Sequence, residues 1–275
     1  MNFLNKKKFG FMGTGKMGQA LVKIFVESQK MPKEQVFVTN RSAKKPEKLA
    51  ETFGISILKN NEELVETCDV IFLCIKPQDM IDALLPIANL FDEHHTVVSL
   101  AAGISLKTLK KTLPNVKNIV RIMPNTPSKV AKGVVGYCVA SEAKEISESM
   151  GHLLEPLGFV VYADEGEQFE ALTVACGSGT GFVFELMLYW QDWLEERGFD
   201  EEIARRMTIQ TFLGASILAK QDPHDILTLQ EEVVSKKGVT AAGLDSMREL
   251  EIERLLRYSF EKAGLRDQEI GRSQS

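Results

Sequence analysis

The alternation of short apolar runs with longer amphipathic stretches constrains the fold of this chain more than any other feature. Eight runs rich in β-branched and aromatic residues are predicted strands, at residues 8–12, 35–39, 55–57, 70–75, 96–100, 119–123, 134–139 and 159–162. The stretches between them have helical spacing, and strand–helix–strand units build a parallel sheet. We therefore predict an α/β fold whose first domain, residues 1–165, is a parallel sheet flanked by helices.

The rest of the sequence has a different pattern. Beyond about Asp164 the predicted strands stop, and apolar residues recur every three or four positions over residues 168–197, 200–220, 223–235 and 240–263. We predict an all-α second domain at residues 166–275, ending in a polar tail, residues 267–275, that frays. Residues 182–190 are apolar almost all round the helix. They are therefore expected to be buried in the helical bundle or against a second subunit.

The composition is that of an ordinary soluble protein and argues against several classes. Apolar residues are 44% and charged residues 26% of the 275 residues, unlike fibrous, disordered or disulfide-scaffold chains. The 33 Lys and Arg against 38 Asp and Glu give a net charge of −5. Such a chain has no general basic field to attract nucleic acid or an anionic membrane, and we predict neither as a partner.

Cysteine usage and the apolar segments bear on metal binding and location. Four cysteines, Cys68, Cys74, Cys138 and Cys176, lie far apart without metal-ligand spacing. We predict no metal site and reduced thiols, as in a cytoplasmic protein.

The basic N-terminus precedes an apolar stretch too short for a signal peptide, so export is not indicated. Residues 171–190 read as a buried helix after a glycine loop or as a transmembrane helix, and their glycines and hydroxyls favour the buried helix.

A glycine-rich motif follows the first predicted strand and begins the first predicted helix. Its residues are Gly13, Thr14, Gly15, Lys16, Met17 and Gly18. In a G-x-G-x-x-G motif the first glycine permits a tight turn, the second lets the backbone approach a pyrophosphate, and the third lets helix pack on strand. N–H groups at the helix start then bind the phosphates. The motif predicts a Rossmann-type dinucleotide-binding domain; the alternative is a purely structural turn.

The end of the second predicted strand indicates which dinucleotide binds. An acidic residue there would hold a ribose 2′-hydroxyl, but this chain has Asn40, Arg41 and Ser42. Arginine can pair with a 2′-phosphate, and the flanking amide and hydroxyl can donate to it. We predict NADPH as the cofactor, with NADH a weaker alternative. A solvated loop arginine is the other interpretation of Arg41.

Further motifs follow the later predicted strands. Lys76 and Pro77 follow the fourth strand, and Ala101, Ala102 and Gly103 follow the fifth. Ligands bind off the carboxyl ends of parallel strands, so both segments are expected to border the nicotinamide half of the cofactor. Residues 121–127 are predicted to form a rigid turn at the same rim. Polar helix starts are predicted at Asn60, with Glu63 three residues on, and at Ser105.

Taken together, these motifs resemble those of the pyrroline-5-carboxylate reductases. Residues 13–18, 75–78, 99–103, 121–127, 177–179 and 235–244 stand in the order seen in that family. The resemblance runs from about Lys8 to Arg266. It implies NAD(P)H-dependent reduction of 1-pyrroline-5-carboxylate to L-proline, the last step of proline biosynthesis. It also implies a helical C-terminal domain that interlocks with a second subunit, as a homodimer or higher oligomer.

The resemblance also implies roles for individual residues. Thr240 is expected to act in catalysis by a hydrogen bond to the ring nitrogen of the substrate, a cyclic imino acid. Ser235, Gly238 and Val239 are expected to border the substrate carboxylate, and Asn61 and Lys76 to contact the cofactor. Backbone and hydroxyl groups at helix starts can also hold a carboxylate, which adds three substrate-binding candidates: Gly177, Ser178 and Gly179. The alternative for Thr240 is an ordinary helix cap.

Two loops depart from the family pattern. Lys236 and Lys237 stand where Pro-Gly is typical, and Thr180-Gly181-Phe182 stands where Pro-Ala-Tyr is typical. The lysines either accommodate a more anionic or longer substrate or simply point to solvent.

Alternative functions are a diverged reductase of another cyclic imine or of a hydroxy acid, and a non-catalytic, cofactor-binding regulatory protein. Residues 169–191 contain no lysine, which argues against a β-hydroxyacid dehydrogenase.

Overall fold

A computed structural model of the chain describes residues 6–42, 44–140 and 144–273. Within these residues a single sheet has the strand order β3-β2-β1-β4-β5-β6-β7-β8. Its strands are β1 Phe9–Met12, β2 Val36–Thr39, β3 Ser56–Ile57, β4 Val70–Leu73, β5 Thr96–Ser99, β6 Asn118–Pro124, β7 Gly133–Val139 and β8 Gly158–Tyr162. All eight predicted strands are confirmed, with ends that differ by one or two residues. The first six strands run parallel, in the order of a Rossmann sheet.

The sheet is not parallel throughout, which corrects the prediction. Strand β7 is antiparallel to β6, whereas β8 is parallel to β7. Residues 125–132 alone connect β6 to β7, and much of this connection is a 3₁₀ turn, Thr126–Val130. A parallel crossover needs a dozen or more residues. The short connection therefore forces the chain to reverse.

Helices flank the sheet, and two of them begin at the predicted polar caps. They are α1 Lys16–Glu27, α2 Lys44–Phe53, α3 Asn61–Thr67, α4 Pro77–Leu84, α5 Leu106–Thr112, α6 Lys144–Leu154 and α7 Glu167–Leu172. The Asn60 side chain accepts a hydrogen bond from the Glu63 amide, and the Glu63 carboxylate accepts one from the Lys59 amide. Ser105 caps α5 through the Thr108 amide. Both predicted helix starts are confirmed.

Two apolar cores lie on opposite faces of the sheet. Alternate residues of a strand point to opposite faces, so Phe72 belongs to one core while Ile71 and Leu73 belong to the other. Phe72 is fully buried and stacks on Phe11 with ring centroids 4.7 Å apart. Phe25 of α1 meets the same ring at 5.9 Å. These contacts fix α1, and with it the glycine motif, on the sheet.

The C-terminal region of the chain is helical, as predicted, but its helices differ in detail. They are α8 Gly179–Glu196, α9 Glu201–Gln221, α10 Ile226–Glu232, α11 Val239–Glu249 and α12 Ile252–Arg272. The predicted helix 168–197 contains a π-helical turn, Thr173–Ser178, between α7 and α8. The predicted helix 240–263 is two helices, because the chain breaks at Leu250 and Glu251, whose φ is +52°. Positive φ does not continue a right-handed helix.

The predicted fraying of the C-terminal tail is wrong for residues 267–272, and residues 274 and 275 lie outside the described residues. Helix α12 continues to Arg272. Compactness divides the chain into one unit of Met1–Ser178 with Ala263–Ser275 and a second unit of Gly179–Lys262. The end of α12 therefore belongs to the first unit. The boundary predicted after residue 165 stays a prediction, since compactness is a different criterion from sequence pattern.

Helix α8 does not have the burial that its apolar sequence predicts. None of its residues is buried within this single chain, and the Phe184 and Trp193 side chains are 57% and 56% exposed. The stretch Glu167–Glu196 is the one helical segment of the described chain long and apolar enough to cross a membrane, by length and composition only. Exposed apolar surface of this extent marks an interaction site.

Candidate functional site

A cavity of about 370 Å³ lies at the carboxyl ends of β1 and β4. It is lined by Met12, Gly13, Gly15, Asn40, Arg41, Lys45, Asn61, Cys74, Ile75, Lys76, Asp79 and Ala83. In open α/β sheets, ligands bind off the carboxyl ends of the strands where the strand order reverses. The strand order reverses here, between β1 and β4, and the cavity is the candidate cofactor site.

Each glycine of the motif has a distinct structural reason. Gly13 has a φ of +101°, and a Cβ atom there would lie 2.8 Å from the Cys74 carbonyl oxygen. A Cβ atom on Gly18 would lie 2.5 Å from the Gly13 carbonyl oxygen, so helix α1 could not pack this closely on β1. A Cβ atom on Gly15 would meet nothing within 4 Å. The second glycine therefore faces open space at the start of α1, where phosphates approach backbone N–H groups.

Asn40 connects the glycine loop to the end of β2. Its Oδ1 accepts a hydrogen bond of 3.1 Å from the Thr14 amide, and its Nδ2 donates to the Ser42 carbonyl and hydroxyl oxygens. Both ends of the side-chain amide are therefore committed to the protein. This leaves Arg41, which is exposed and lines the cavity, to meet a ligand. Ser42 is exposed but does not line the cavity.

Lys45 and Asp79 also line the cavity, and the sequence analysis missed both. Lys45 lies in the first turn of α2 and adds a second cation beside Arg41. Its signal was available, since it follows Arg41 by four residues in a basic run. Asp79 lies in the first turn of α4, whose N-cap is Lys76 and whose first residue is Pro77. Proline suits this position because its missing N–H would have no helical partner.

The other predicted cofactor residues do not line the cavity. Thr14 is fully buried, and its hydroxyl has no hydrogen-bond partner in the structure. Met17, Pro77, Ala101 and Ala102 also lie outside the lining. Lys16 lines a separate groove between α1 and α2. Gly103 packs against α12.

The arginine of the segment 121–127 is a buried structural residue. Arg121 is 5% exposed, and its Nη1 donates to both Glu165 oxygens at 2.9 Å. Its guanidinium lies 4.3 Å from the Phe169 ring centroid. The Cys138 thiol donates to the same carboxylate, and burial together with Glu165 raises the pKa of this thiol above its usual range. This cluster joins β6, β7 and α7.

Asn125 positions the segment that carries Gly177 and Ser178. Its Oδ1 accepts a hydrogen bond from the Val134 amide at 2.9 Å, and its Nδ2 donates to the Cys176 carbonyl at 3.1 Å. Cys176, Gly177 and Ser178 belong to the π-helical turn that precedes α8. Single π turns are frequent at functional sites. Gly179 begins α8, so the three predicted residues straddle the two compact units.

The segment 235–240 forms a tight turn in the second unit. The Gly238 amide donates to the Ser235 carbonyl at 2.9 Å, and a Cβ atom on Gly238 would lie 2.1 Å from the Ser235 hydroxyl oxygen. Lys237 has a φ of +60°. Gly238 is the N-cap of α11, and no side chain caps this helix. The alternative role of Thr240 as a helix cap is therefore wrong, and its side chain is exposed in the first turn of α11.

Thiol and metal chemistry find no support near the cavity. Burial raises the pKa of the Cys74 thiol, which lies behind the glycine loop, to about 12. A protonated thiol is a poor nucleophile. No group of three or more His, Cys, Asp and Glu side chains that could hold a metal ion exists among the described residues. The cavity offers backbone N–H groups and cations instead.

Two family models match the two halves of the chain. Residues 8–103 match the NADP oxidoreductase coenzyme F420-dependent model, and residues 166–270 match the pyrroline-5-carboxylate reductase dimerisation model. The pyrroline-5-carboxylate reductase of Pseudomonas aeruginosa is 31% identical over 97% of this chain and 98% of its own length. The chain belongs to the pyrroline-5-carboxylate reductase family. The predicted resemblance is confirmed.

Further comparisons support membership of the pyrroline-5-carboxylate reductase family. Pyrroline-5-carboxylate reductase 1 of Bacillus subtilis is 30% identical over 97% of this chain and 90% of its own length. The Coxiella burnetii pyrroline-5-carboxylate reductase superimposes with a TM-score of 0.88 at 26% identity, covering 97% of this chain and 99% of that one. The Plasmodium falciparum pyrroline carboxylate reductase, which has NADP bound, has the same fold, with a TM-score of 0.86 at 24% identity and coverages of 97% and 98%.

Proposed function

We propose that this chain reduces 1-pyrroline-5-carboxylate to L-proline with NADPH. The observation that carries the proposal is the cavity at the β1–β4 switch point, lined by a glycine loop and the three cations Arg41, Lys45 and Lys76, in a chain of the pyrroline-5-carboxylate reductase family. The exposed Gly15 backbone and the start of α1 fit a pyrophosphate. NADPH supplies a hydride when it is bound, and the residues of the chain position the reactants.

The preference for NADPH over NADH rests on the surroundings of the adenosine ribose. Arg41 and Lys45 both line the cavity beyond β2, and the residues that directly follow this strand include no carboxylate. A 2′-phosphate gains charge-assisted hydrogen bonds from such cations. Asn40 keeps Arg41 in place by joining its loop to Thr14.

Replacing Arg41 tests this preference. Arg41→Asp removes a partner of the 2′-phosphate and adds repulsion, so the KM for NADPH rises by about tenfold or more while the KM for NADH changes little. Lys44→Asp is the matched control, because Lys44 is an exposed α2 lysine outside the cavity lining. Equal effects of Arg41→Asp on both cofactors would refute the assignment.

The chemistry on the substrate needs a proton at the ring nitrogen, an anchor for the carboxylate and a fixed orientation. We assign Thr240 to the ring nitrogen, and we assign the carboxylate to Ser235, Gly238 and Val239. Gly177, Ser178 and Gly179 are separate candidates for binding substrate. The exposed Thr240 hydroxyl caps nothing in α11, which supports a role towards substrate. A protonated imine is already electrophilic, so orientation and electrostatics are the protein's contribution.

Steady-state assays test the reaction. The purified chain is expected to oxidise NADPH when 1-pyrroline-5-carboxylate is supplied and to form proline in equal amount. Turnover of a longer or more anionic cyclic imine in its place would assign Lys236 and Lys237 to substrate choice. Binding of NADPH without turnover of any imine would favour the regulatory alternative.

Association and location complete the proposal. The match to the dimerisation model supports self-association, and we propose a homodimer or higher oligomer made through the helical unit. We propose a cytoplasmic location, in keeping with four free cysteines.

A further inference from the structure

The end of α12 packs directly on the loop that follows β5. Gly103 has a φ of +73°, and a Cβ atom there would lie 2.7 Å from the Asp267 carbonyl oxygen and 2.8 Å from the Gly271 amide nitrogen. A Cβ atom on Gly271 would lie 2.5 Å from the Gly103 carbonyl oxygen. Two glycines thus bring the helix backbone and the loop backbone together. Any side chain at either position would force them apart.

The Asp267 side chain strengthens this contact. Its carboxylate faces the Gly103 amide as a hydrogen-bond acceptor, and Arg121 attracts it from β6. Its Oδ1 is buried without a hydrogen-bond partner. Burial raises the pKa of this carboxyl, and the Glu170 and Glu165 charges raise it further while Arg121 and the Gly103 amide lower it. The carboxylate therefore lies between a donor amide of the loop and the charge of Arg121.

A second carboxylate holds the far end of the same loop. Glu165 accepts a hydrogen bond of 2.9 Å from the Leu106 amide at the start of α5, and it is itself held by Arg121. Gln268 of α12 donates to both oxygens of Glu170 at 3.0 Å. Asp267 therefore holds this loop at Gly103, and Glu165 holds it where it joins α5.

The sheet order places this loop on one side of the cavity. Strand β2, with Arg41 at its end, lies on one side of β1, and β4 and β5 lie on the other. A dinucleotide that spans the switch point with its adenosine over β2 directs its nicotinamide towards the ends of β4 and β5. The loop after β5 is then expected to meet the nicotinamide half of the cofactor and not its adenosine half.

We propose that Asp267 is a positioning residue, which holds the loop Ala101–Gly103 in the conformation that supports the nicotinamide ring. The proposal rests on the cofactor assignment made above. Asp267 acts through Gly103 and does not itself touch the cofactor. The helix that carries it begins in the second compact unit and ends in the first.

Two dissociation constants test the proposal, one for NADPH and one for 2′-phosphoadenosine 5′-diphosphoribose, which lacks the nicotinamide. Asp267→Ala is expected to weaken NADPH binding about tenfold, in line with the loss of a hydrogen bond to a charged group, and to leave the fragment unchanged. Glu269→Gln is the matched control, because this α12 carboxylate is exposed and pairs with Arg266. It is expected to leave both constants unchanged.

Two further variants distinguish a loss of the contact with the loop from a general folding defect. Gly271→Ala keeps the carboxylate but pushes on the Gly103 carbonyl, and it is expected to give the same selective loss. Asp267→Asn keeps an acceptor for the Gly103 amide and is expected to restore most of the affinity. Equal weakening of both ligands, or no weakening of NADPH by Asp267→Ala and Gly271→Ala, would overturn the proposal. Neither constant involves the imine, so a failure of the proposed reaction is measured separately.

Discussion

The two compact units bury their apolar residues to very different extents. In the first unit both faces of the sheet are covered, and the large side chains Phe9, Phe11, Phe25, Phe72 and Phe91 are fully buried. In the second unit α8, α10 and α11 have no buried residue within the single chain. The apolar residues of the first unit therefore form a complete core, whereas the core of the second unit is unfinished within the single chain. The second unit needs a partner surface to reach the packing that the first achieves alone.

The largest expected effect is on the complete core. Phe72→Ala removes a buried ring that stacks on Phe11 and meets Phe25, and it is expected to lower the free energy of unfolding by ~3–5 kcal/mol. Denaturant unfolding measures this loss. Phe159→Ala is the control, because Phe159 is an exposed side chain on β8. Equal losses for the two variants would contradict the burial contrast.

The next effect is on the unfinished core. Phe184→Asp places a charge on the exposed apolar face of α8, and it is expected to weaken self-association by ~2–4 kcal/mol, the range of an interface hot spot. Light scattering at micromolar concentration gives the mass. Val130→Asp, at a 68% exposed position of the first unit, is expected to leave the mass unchanged. A wild-type chain that is monomeric, folded and active at this concentration would remove the basis for the comparison.

Variants of Thr240 test whether a residue of the second unit acts in catalysis without contributing to stability. Thr240→Ala is expected to lower kcat/KM by ~1.5–3 kcal/mol of transition-state stabilisation, with the affinity for NADPH nearly unchanged. The melting temperature is expected to stay close to that of the wild type, because the N-cap position of α11 is Gly238 and the Thr240 side chain does not cap the helix. Thr240→Ser keeps the hydroxyl and is expected to retain much of the activity. A variant that melts early yet turns over normally would reverse the assignment.

The smallest expected effects come from the helix caps of the two units. Asn60 caps α3 in the first unit and Asp200 caps α9 in the second, each through the amide three residues on. Replacing either by Ala is expected to cost ~1 kcal/mol. Hydrogen exchange is expected to rise in the unit that carries the variant. If either variant raised exchange equally in both units, they would unfold as one body.

The features that the sequence predicts well are local. The eight strands, the caps at Asn60 and Ser105 and the glycine loop each depend on residues within a few positions of one another, so periodicity and spacing identify them. Four of the predicted cofactor residues outside the glycine motif, Asn40, Arg41, Asn61 and Lys76, line the cavity because each follows or flanks a strand end. Parallel strands bring such ends to one edge of the sheet.

The features that the sequence does not predict depend on long-range partners. Arg121 reads as a rim residue, but its partner Glu165 is 44 positions away and holds it in the interior. The end of α12 reads as a frayed tail because its sequence is polar, yet Gly271 and Asp267 dock on Gly103, which is remote in sequence. The exposed face of α8 depends on a surface that a single chain does not supply.

The position of the end of α12 affects how the chain is made. Synthesis runs from the N-terminus, so Ala263–Ser275 leaves the ribosome after the whole second unit, although it belongs to the first. The sheet can form early from its own strands, but the loop at Gly103 gains its packing partner only once the second unit has been made. The first unit of a nascent chain, or of one truncated before Ala263, therefore lacks the helix backbone that packs on Gly103.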